Sequence, residues 1–165
     1  MPRIFALSAL LLSLAGCDTL GSGDPFADDY YSVYTVTLSD GTGEAASGRI
    51  GLELVPSDVA SLPDLWRGVW DLDAEADVVA DRLDGRGAFR GGEADPLVLR
   101  FFLDLPERGL GPPERPAAFR LVVTDRGDAD RLGGTWEATD GDDVVASGPF
   151  EAVLVRAATR FIVAG

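Results

Sequence analysis

The residue types in this chain that could do chemistry are few. The sequence of 165 residues contains no His, all 14 of its basic residues are Arg, and its single Cys is Cys17. Without His and Lys there is no imidazole base or metal ligand, no Ser-His-Asp or Cys-His pair, and no amine for a Schiff base. Asp, Glu and Tyr remain as acid–base groups, and we expect the protein not to be an enzyme.

Carboxylates are the remaining candidates for catalysis or metal binding. A pair of them could hydrolyse a glycosidic bond, but the candidates all occupy predicted outward positions and no pair stands out: Glu53, Asp71, Asp104, Glu137 and Glu151. Acidic turns at 125–130 and 140–143 could attract Ca²⁺, yet neither has the spacing of an EF-hand loop. We therefore predict no catalytic residue, no metal and no cofactor, and a carboxylate-dependent hydrolase ranks last among the functions considered.

The charge of the chain limits its partners. Its 28 Asp and Glu residues outnumber the 14 Arg and give a net charge of -14. Such a chain repels nucleic acid and anionic lipid headgroups, so neither is expected to bind the folded domain directly. Two explanations of the missing Lys remain open. One is adaptation to high salt, in which an acidic surface stays solvated, and the other is a GC-rich genome.

The N-terminus has the pattern of a secretory signal. Arg3 precedes an apolar run over residues 4–14, and small residues follow it. A run of 11 residues is too short to cross a bilayer as a helix and suits the apolar core of a signal peptide. Residues 1–16 are therefore predicted to be removed during export.

The junction Leu14-Ala15-Gly16-Cys17 resembles the lipobox of bacterial lipoproteins. The resemblance covers about the first 20 residues. It implies that the Cys17 thiol carries diacylglycerol, that cleavage makes Cys17 the first residue, and that its amine receives an acyl chain such as palmitate. It also implies a domain outside the cytoplasm, held to the cell envelope by lipid. A plain secretory peptide with an incidental Cys is the alternative, and Asp18 does not decide between inner and outer membrane.

Beyond Cys17 the composition predicts three parts. Residues 17–29 are rich in Gly, Ser and Asp and indicate a flexible, lipidated tether. Residues 30–156 alternate apolar and polar side chains and predict one β-domain. Residues 157–165 are expected to form a C-terminal tail or a further short strand.

A repeated hairpin organises the predicted β-domain. Residues 39–55 (SDGTGEAASGRIGLELV) recur as residues 139–155 (TDGDDVVASGPFEAVLV), with seven of 17 positions identical. A second match relates Gly68-Val69-Trp70 to Gly134-Thr135-Trp136, and each copy later reaches Gly-x-Phe, at residues 87–89 and 148–150. Each unit is a turn joined to alternating strands, which is typical of a β-hairpin.

Four such hairpins in sequence predict an all-β fold of eight strands. Sequential antiparallel pairing makes a meander, which most simply closes into an up-and-down β-barrel, with a β-sandwich as the alternative. Residues 74–84 are predicted as a strand, although Ala76, Val79 and Leu83 also have helical spacing. In architecture the domain is similar to lipocalin-like and avidin-like barrels, but no ligand residue is carried over.

Aromatic residues on the inward faces allow two interpretations. They could line a pocket that makes the protein a carrier of a small apolar ligand, and they are Trp66, Trp70, Phe101, Phe119, Trp136 and Phe150. Alternatively they fill the core, since an eight-stranded barrel is barely wide enough for its own side chains. We favour the filled core and a non-catalytic structural or interaction role for a lipid-anchored envelope lipoprotein. The Pro-rich loop 106–116 is the best candidate to contact other envelope proteins.

Overall fold

The structure, a computed structural model, describes residues 23–57, 64–74, 83, 85–92, 95–103, 117–127, 130–140 and 143–160. Eight strands follow one another along the chain: β1 Ser32–Ser39, β2 Glu44–Val55, β3 Leu65–Ala74, β4 Gly85–Gly92, β5 Leu97–Leu103, β6 Phe119–Asp125, β7 Arg131–Asp140 and β8 Asp143–Arg156. Each strand pairs antiparallel with its neighbours in sequence, and β8 pairs with β1. The predicted up-and-down barrel is confirmed, and the β1–β8 pairing is what separates it from a sandwich.

Alternation along each strand gives the barrel an inside and an outside. In β1, Val36 and Leu38 are buried in the core while Thr35 and Thr37 are exposed. Because successive side chains of a strand point to opposite faces, this pattern buries one face of the sheet and leaves the other for the surface. The same alternation places the apolar residues of the other strands in one central cluster.

The repeated hairpins adopt matching registers. Leu38 pairs with Ala46 in β1–β2, and Ala138 pairs with Ala146 in β7–β8, with a register shift directly after each pair. The second match holds in the same way, since the β3–β4 pairs Gly68↔Phe89 and Trp70↔Gly87 correspond to the β7–β8 pairs Gly134↔Phe150 and Trp136↔Gly148. The identities seen in the sequence therefore mark equivalent positions in space.

The fourth strand lies later in the chain than the sequence predicts. β3 continues to Ala74, and β4 begins only at Gly85. Leu83 lies between them, has helical conformation and is fully buried. The strand predicted over residues 74–84 is thus not where β4 forms, and residues 75–82 and 84 lie outside the described part. The helical spacing that ends at Leu83 was the better guide.

An N-terminal strap, residues 23–31, packs on the outside of the barrel. Phe26 and Tyr31 are buried to 1% and 2% exposure and form a small cluster with Val33 and Val69. Gly51 makes room for them, since a Cβ there would lie 3.1 Å from the Tyr31 ring and 3.2 Å from the Phe26 ring. The composition assigns residues 23–29 to a tether, but their apolar side chain has a binding position on the wall. The tether prediction therefore applies to residues 17–22, which lie outside the described part.

The chain after β8 fastens the strap. Arg156 donates hydrogen bonds to the carbonyl oxygens of Phe26 and Asp28. The backbone N–H groups of Thr159 and Arg160 donate to the carbonyl oxygen of Asp29 over 3.0 and 3.2 Å. Residues 157–160 form no strand, and residues 161–165 lie outside the described part. The two ends of the domain thus hold each other on one side of the barrel.

Candidate functional site: the barrel interior and its outer wall

The structure brings the six candidate pocket residues to one interior cluster. Trp70, Phe101, Phe119 and Trp136 have 0% exposure. Phe150 retains 4%, and Trp66 packs against the cluster while remaining partly exposed. They come from β3, β5, β6, β7 and β8, so the barrel closure is what gathers them.

The interior rings pack directly against one another. Phe101 stacks on Phe119 with centroids 4.4 Å apart and on Phe89 at 4.9 Å, and Trp70 meets Phe119 edge-on at 5.3 Å. These are the separations of favourable aromatic pairs. A void of the size of a water molecule beside a ring would give that ring accessible surface, and these rings have none. At the level of these residues the interior is filled by its own side chains.

The two interior indoles have their polar atoms satisfied. Trp70 Nε1–H donates to the Phe102 carbonyl oxygen over 3.2 Å, and Trp136 Nε1–H donates to the Ser39 carbonyl oxygen over 2.8 Å. Each indole reaches across the Gly opposite it to the strand beyond. Within the described residues, no buried side-chain nitrogen or oxygen lacks a hydrogen-bond partner. The interior therefore presents no unsatisfied polar group that would orient a ligand.

Tyr34 is the titratable side chain of the interior cluster. Burial raises the pKa of its phenol above 10.0, and the negative charge of Asp130 raises it further. The phenol is therefore neutral at any physiological pH, and it is a poor acid–base group for catalysis.

A partly buried ion pair lies on the outer wall. Arg67 Nε donates to Glu53 Oε2 over 2.8 Å, and the two side chains are 12% and 8% exposed. Glu53 was a candidate for carboxylate chemistry by its residue type. Its pairing with Arg67, directly opposite in the β2–β3 register, gives it a structural partner instead. Glu137 is paired with Arg120 in the same manner across β6–β7.

Four arginines continue across the wall between these two glutamates. Register pairing joins six outward residues on six consecutive strands, in the order Glu53, Arg67, Arg90, Arg100, Arg120 and Glu137. We call the four central residues the arginine row. Sequence patterns did not reveal the row, because its members come from four strands and align only in the register. The outward parity of each Arg was the signal that could have found it.

The wall around the arginine row lacks acidic residues. β4 and β5 contain no Asp or Glu, and in β6 the only one is Asp125 at its end. Arg100 is exposed, and the outward side chains beside it, Val98 and Val122, are partly exposed. In a chain with 28 carboxylates, this wall is the exception in sign.

The acidic turns are built by local hydrogen bonds. Asp40 Oδ1 accepts from the Thr42 N–H over 2.6 Å, the Thr42 hydroxyl over 2.7 Å and the Gly43 N–H over 2.9 Å. These bonds, that of the Thr42 hydroxyl first, lower the pKa of Asp40. In the candidate Ca²⁺ turns, Asp125 accepts from the Gly127 N–H, while Asp128 and Asp142 lie outside the described part. No group of three or more acidic or thiol ligands converges within the described residues.

Two predicted features fall where the structure is not described. They are Cys17 and the Pro-rich loop 106–116, and both stay predictions from the sequence.

Comparisons with known proteins give no match. No protein family, no curated protein and no solved structure matches the chain significantly. Among the residues that are described, the structure has no helix both long and apolar enough to cross a membrane.

Proposed function

We propose that the chain is a lipid-anchored lipoprotein of the bacterial cell envelope, whose barrel has a structural or binding role and no catalytic one. The anchor is supported by the resemblance of Leu14-Ala15-Gly16-Cys17 to a lipobox. The binding role is supported by one observation above all, the absence of accessible surface on the interior aromatic rings. A barrel that is filled inside has to act through its outer wall and loops.

The same observation disfavours a carrier of apolar ligands. A ligand pocket occupies roughly 300 Å³ or more, and the side chains that line it keep accessible surface when the ligand is absent. Trp70, Phe101, Phe119 and Trp136 keep none. A hydrolase is disfavoured as well, because Glu53 and Glu137 each form an ion pair with an arginine.

The anchor is tested by the mass of the mature chain. Full-length protein is expressed in a bacterium, and the membrane fraction is analysed by intact mass and by its N-terminal peptide. We expect a chain that starts at Cys17 and carries a diacylglyceryl group, and a Cys17→Ser variant that lacks both changes. A wild-type chain that is soluble, with an unmodified Cys17 thiol, would sink the proposal.

A further inference from the structure

The arginine row places like charges directly opposite one another. Arg67 pairs in register with Arg90, Arg90 with Arg100, and Arg100 with Arg120. Side chains opposite each other in an antiparallel pair are close, and like charges at such positions destabilise the sheet. Glu53 and Glu137 neutralise the two ends of the row. The centre of the row thus holds positive charge that the stability of the fold does not require.

The composition of this wall is that of an interface. Interfaces between proteins are enriched in Arg and depleted in Asp and Glu relative to other surface. The outward residues of β4–β6 follow that rule, with Arg90 and Arg100 beside the partly exposed Val98 and Val122. The rest of the acidic chain does not.

The strap and the tail leave this wall to a partner. Residues 23–31 pack against Gly51 and Val69, which lie on the outer faces of β2 and β3. Residues 157–160 fasten the strap through Asp29 and Ser32. These terminal segments therefore cover the side of the barrel next to the arginine row.

We propose that the outer wall of β4–β6 is a docking surface for an acidic face of a partner protein, with Arg90 and Arg100 at its centre. The proposal rests on the binding role proposed above. At a strand spacing of about 4.8 Å, the row is roughly 15 Å long, which matches two or three carboxylates on alternate residues of an extended strand. Guanidinium groups bind carboxylates through paired hydrogen bonds.

A protein partner fits this wall better than a polyanion or a lipid surface. A membrane or a long polyanion carries negative charge well beyond the row, and the net charge of -14 repels it there. A folded partner can confine its carboxylates to the row and present neutral surface elsewhere. The apolar Val98 and Val122 beside the row would then contact apolar side chains of that partner.

The test uses the full chain in detergent and a short labelled peptide of defined sequence, acetyl-Glu-Val-Glu-Val-Glu-amide. Fluorescence anisotropy is expected to show saturable binding by the wild type, which Arg100→Glu weakens by about tenfold or more. Arg131→Glu is the matched control, because it makes the same charge change at a 66% exposed side chain on β7. It should leave binding unchanged, and a peptide with Gln in place of Glu should not bind.

Thermal melting separates binding from folding. Arg100→Glu places a carboxylate between Arg90 and Arg120, so its melting temperature should stay the same or rise while binding falls. Arg100→Thr, which only removes the charge, should also weaken binding without lowering the melting temperature. A role of Arg100 in holding the fold would instead lower the melting temperature of both variants.

Other outcomes overturn the proposal. They are the absence of saturable binding, equal loss in Arg131→Glu and Arg100→Glu, and Arg100-dependent binding of polyphosphate or phosphatidylglycerol vesicles in place of the peptide. Self-association that Arg100→Glu abolishes in sedimentation would replace the foreign partner with a second copy. Failure of lipidation at Cys17 would remove the anchor but leave the peptide result standing, so the two failures are distinguishable.

Discussion

Burial decides how much each charged side chain contributes to this molecule. Glu53 and Arg67 are 8% and 12% exposed, whereas Glu151 and Arg131 form a pair at 3.4 Å with 59% and 66% exposure. Water screens the exposed pair, and its contribution is small. When one member of a mostly buried pair is removed, the other is left as an uncompensated charge in a poorly hydrated place.

The first prediction compares these two pairs. Glu53→Gln is expected to lower the free energy of unfolding by about 3 kcal/mol, the lower end of the cost of breaking a buried pair. Glu151→Gln is expected to change it by less than about 1 kcal/mol. Urea denaturation of both variants measures the difference. Equal small effects at the two sites would show that Glu53 is hydrated and that its burial has no energetic consequence.

The second prediction concerns pH and Asp40. Hydrogen bonds from Thr42 and Gly43 favour the charged carboxylate in the folded state, so its pKa there is lower than the 3.8 of the unfolded chain. The stabilisation is therefore complete above pH 3.8 and is lost as the pH falls through the folded-state pKa. Asp40→Ala should melt below the wild type at neutral pH, and the gap should close only in strong acid. A gap that is constant with pH would contradict the account.

At the scale of elements, two hairpins use one packing device. Trp70 and Trp136 each lie opposite a Gly, and each indole N–H passes over that Gly to a carbonyl oxygen of the next strand. The device needs a residue without a side chain, because a Cβ on Gly148 would lie 1.9 Å from the Ser39 carbonyl oxygen. It joins each repeated hairpin to the strand that follows in the barrel.

The third prediction tests this device. Gly148→Ala is expected to destabilise the protein by about 1–3 kcal/mol, because the added methyl group forces the indole or the strand to move. Gly133→Ala is the matched control on β7, where the nearest heavy atom to the new methyl group is 3.7 Å away. Equal free energies of unfolding for the two variants would show that the close approach is not needed.

The sequence predicts the strands better than it predicts what surrounds them. Inward alternation and the repeat specified the barrel because they record local pairing, as the shared Leu38↔Ala46 and Ala138↔Ala146 registers show. The strap was missed because Phe26 is a lone apolar residue in a polar segment, and only the space above Gly51 explains its burial. The arginine row was missed because its alignment depends on the register of four strands.

At the scale of the whole molecule, net charge and closure act in opposite directions. A net charge of -14 on 165 residues opposes the compact state by self-repulsion. Barrel closure, the fastened strap and the single interior cluster hold that state together. Salt screens the repulsion between exposed charges far more than it affects the buried contacts.

The fourth prediction follows from this balance. The melting temperature is expected to rise as potassium chloride is raised from low concentration towards molar levels, because screening relieves repulsion among the exposed carboxylates. Differential scanning fluorimetry across the series measures it. A melting temperature that is flat or falls with salt would contradict both the repulsion argument and the interpretation of the composition as salt adaptation.

The most direct test of the central claim is whether the wild-type barrel binds an apolar ligand inside. An environment-sensitive dye is titrated into the full chain in a non-binding detergent, with fatty acids as competitors. Phe101→Ala, which removes one ring of the interior stack, is the positive control, since dry apolar cavities bind small apolar molecules. We predict no saturable, competitor-displaced binding by the wild type. One-to-one binding that fatty acids displace would contradict the filled interior and make the protein a carrier.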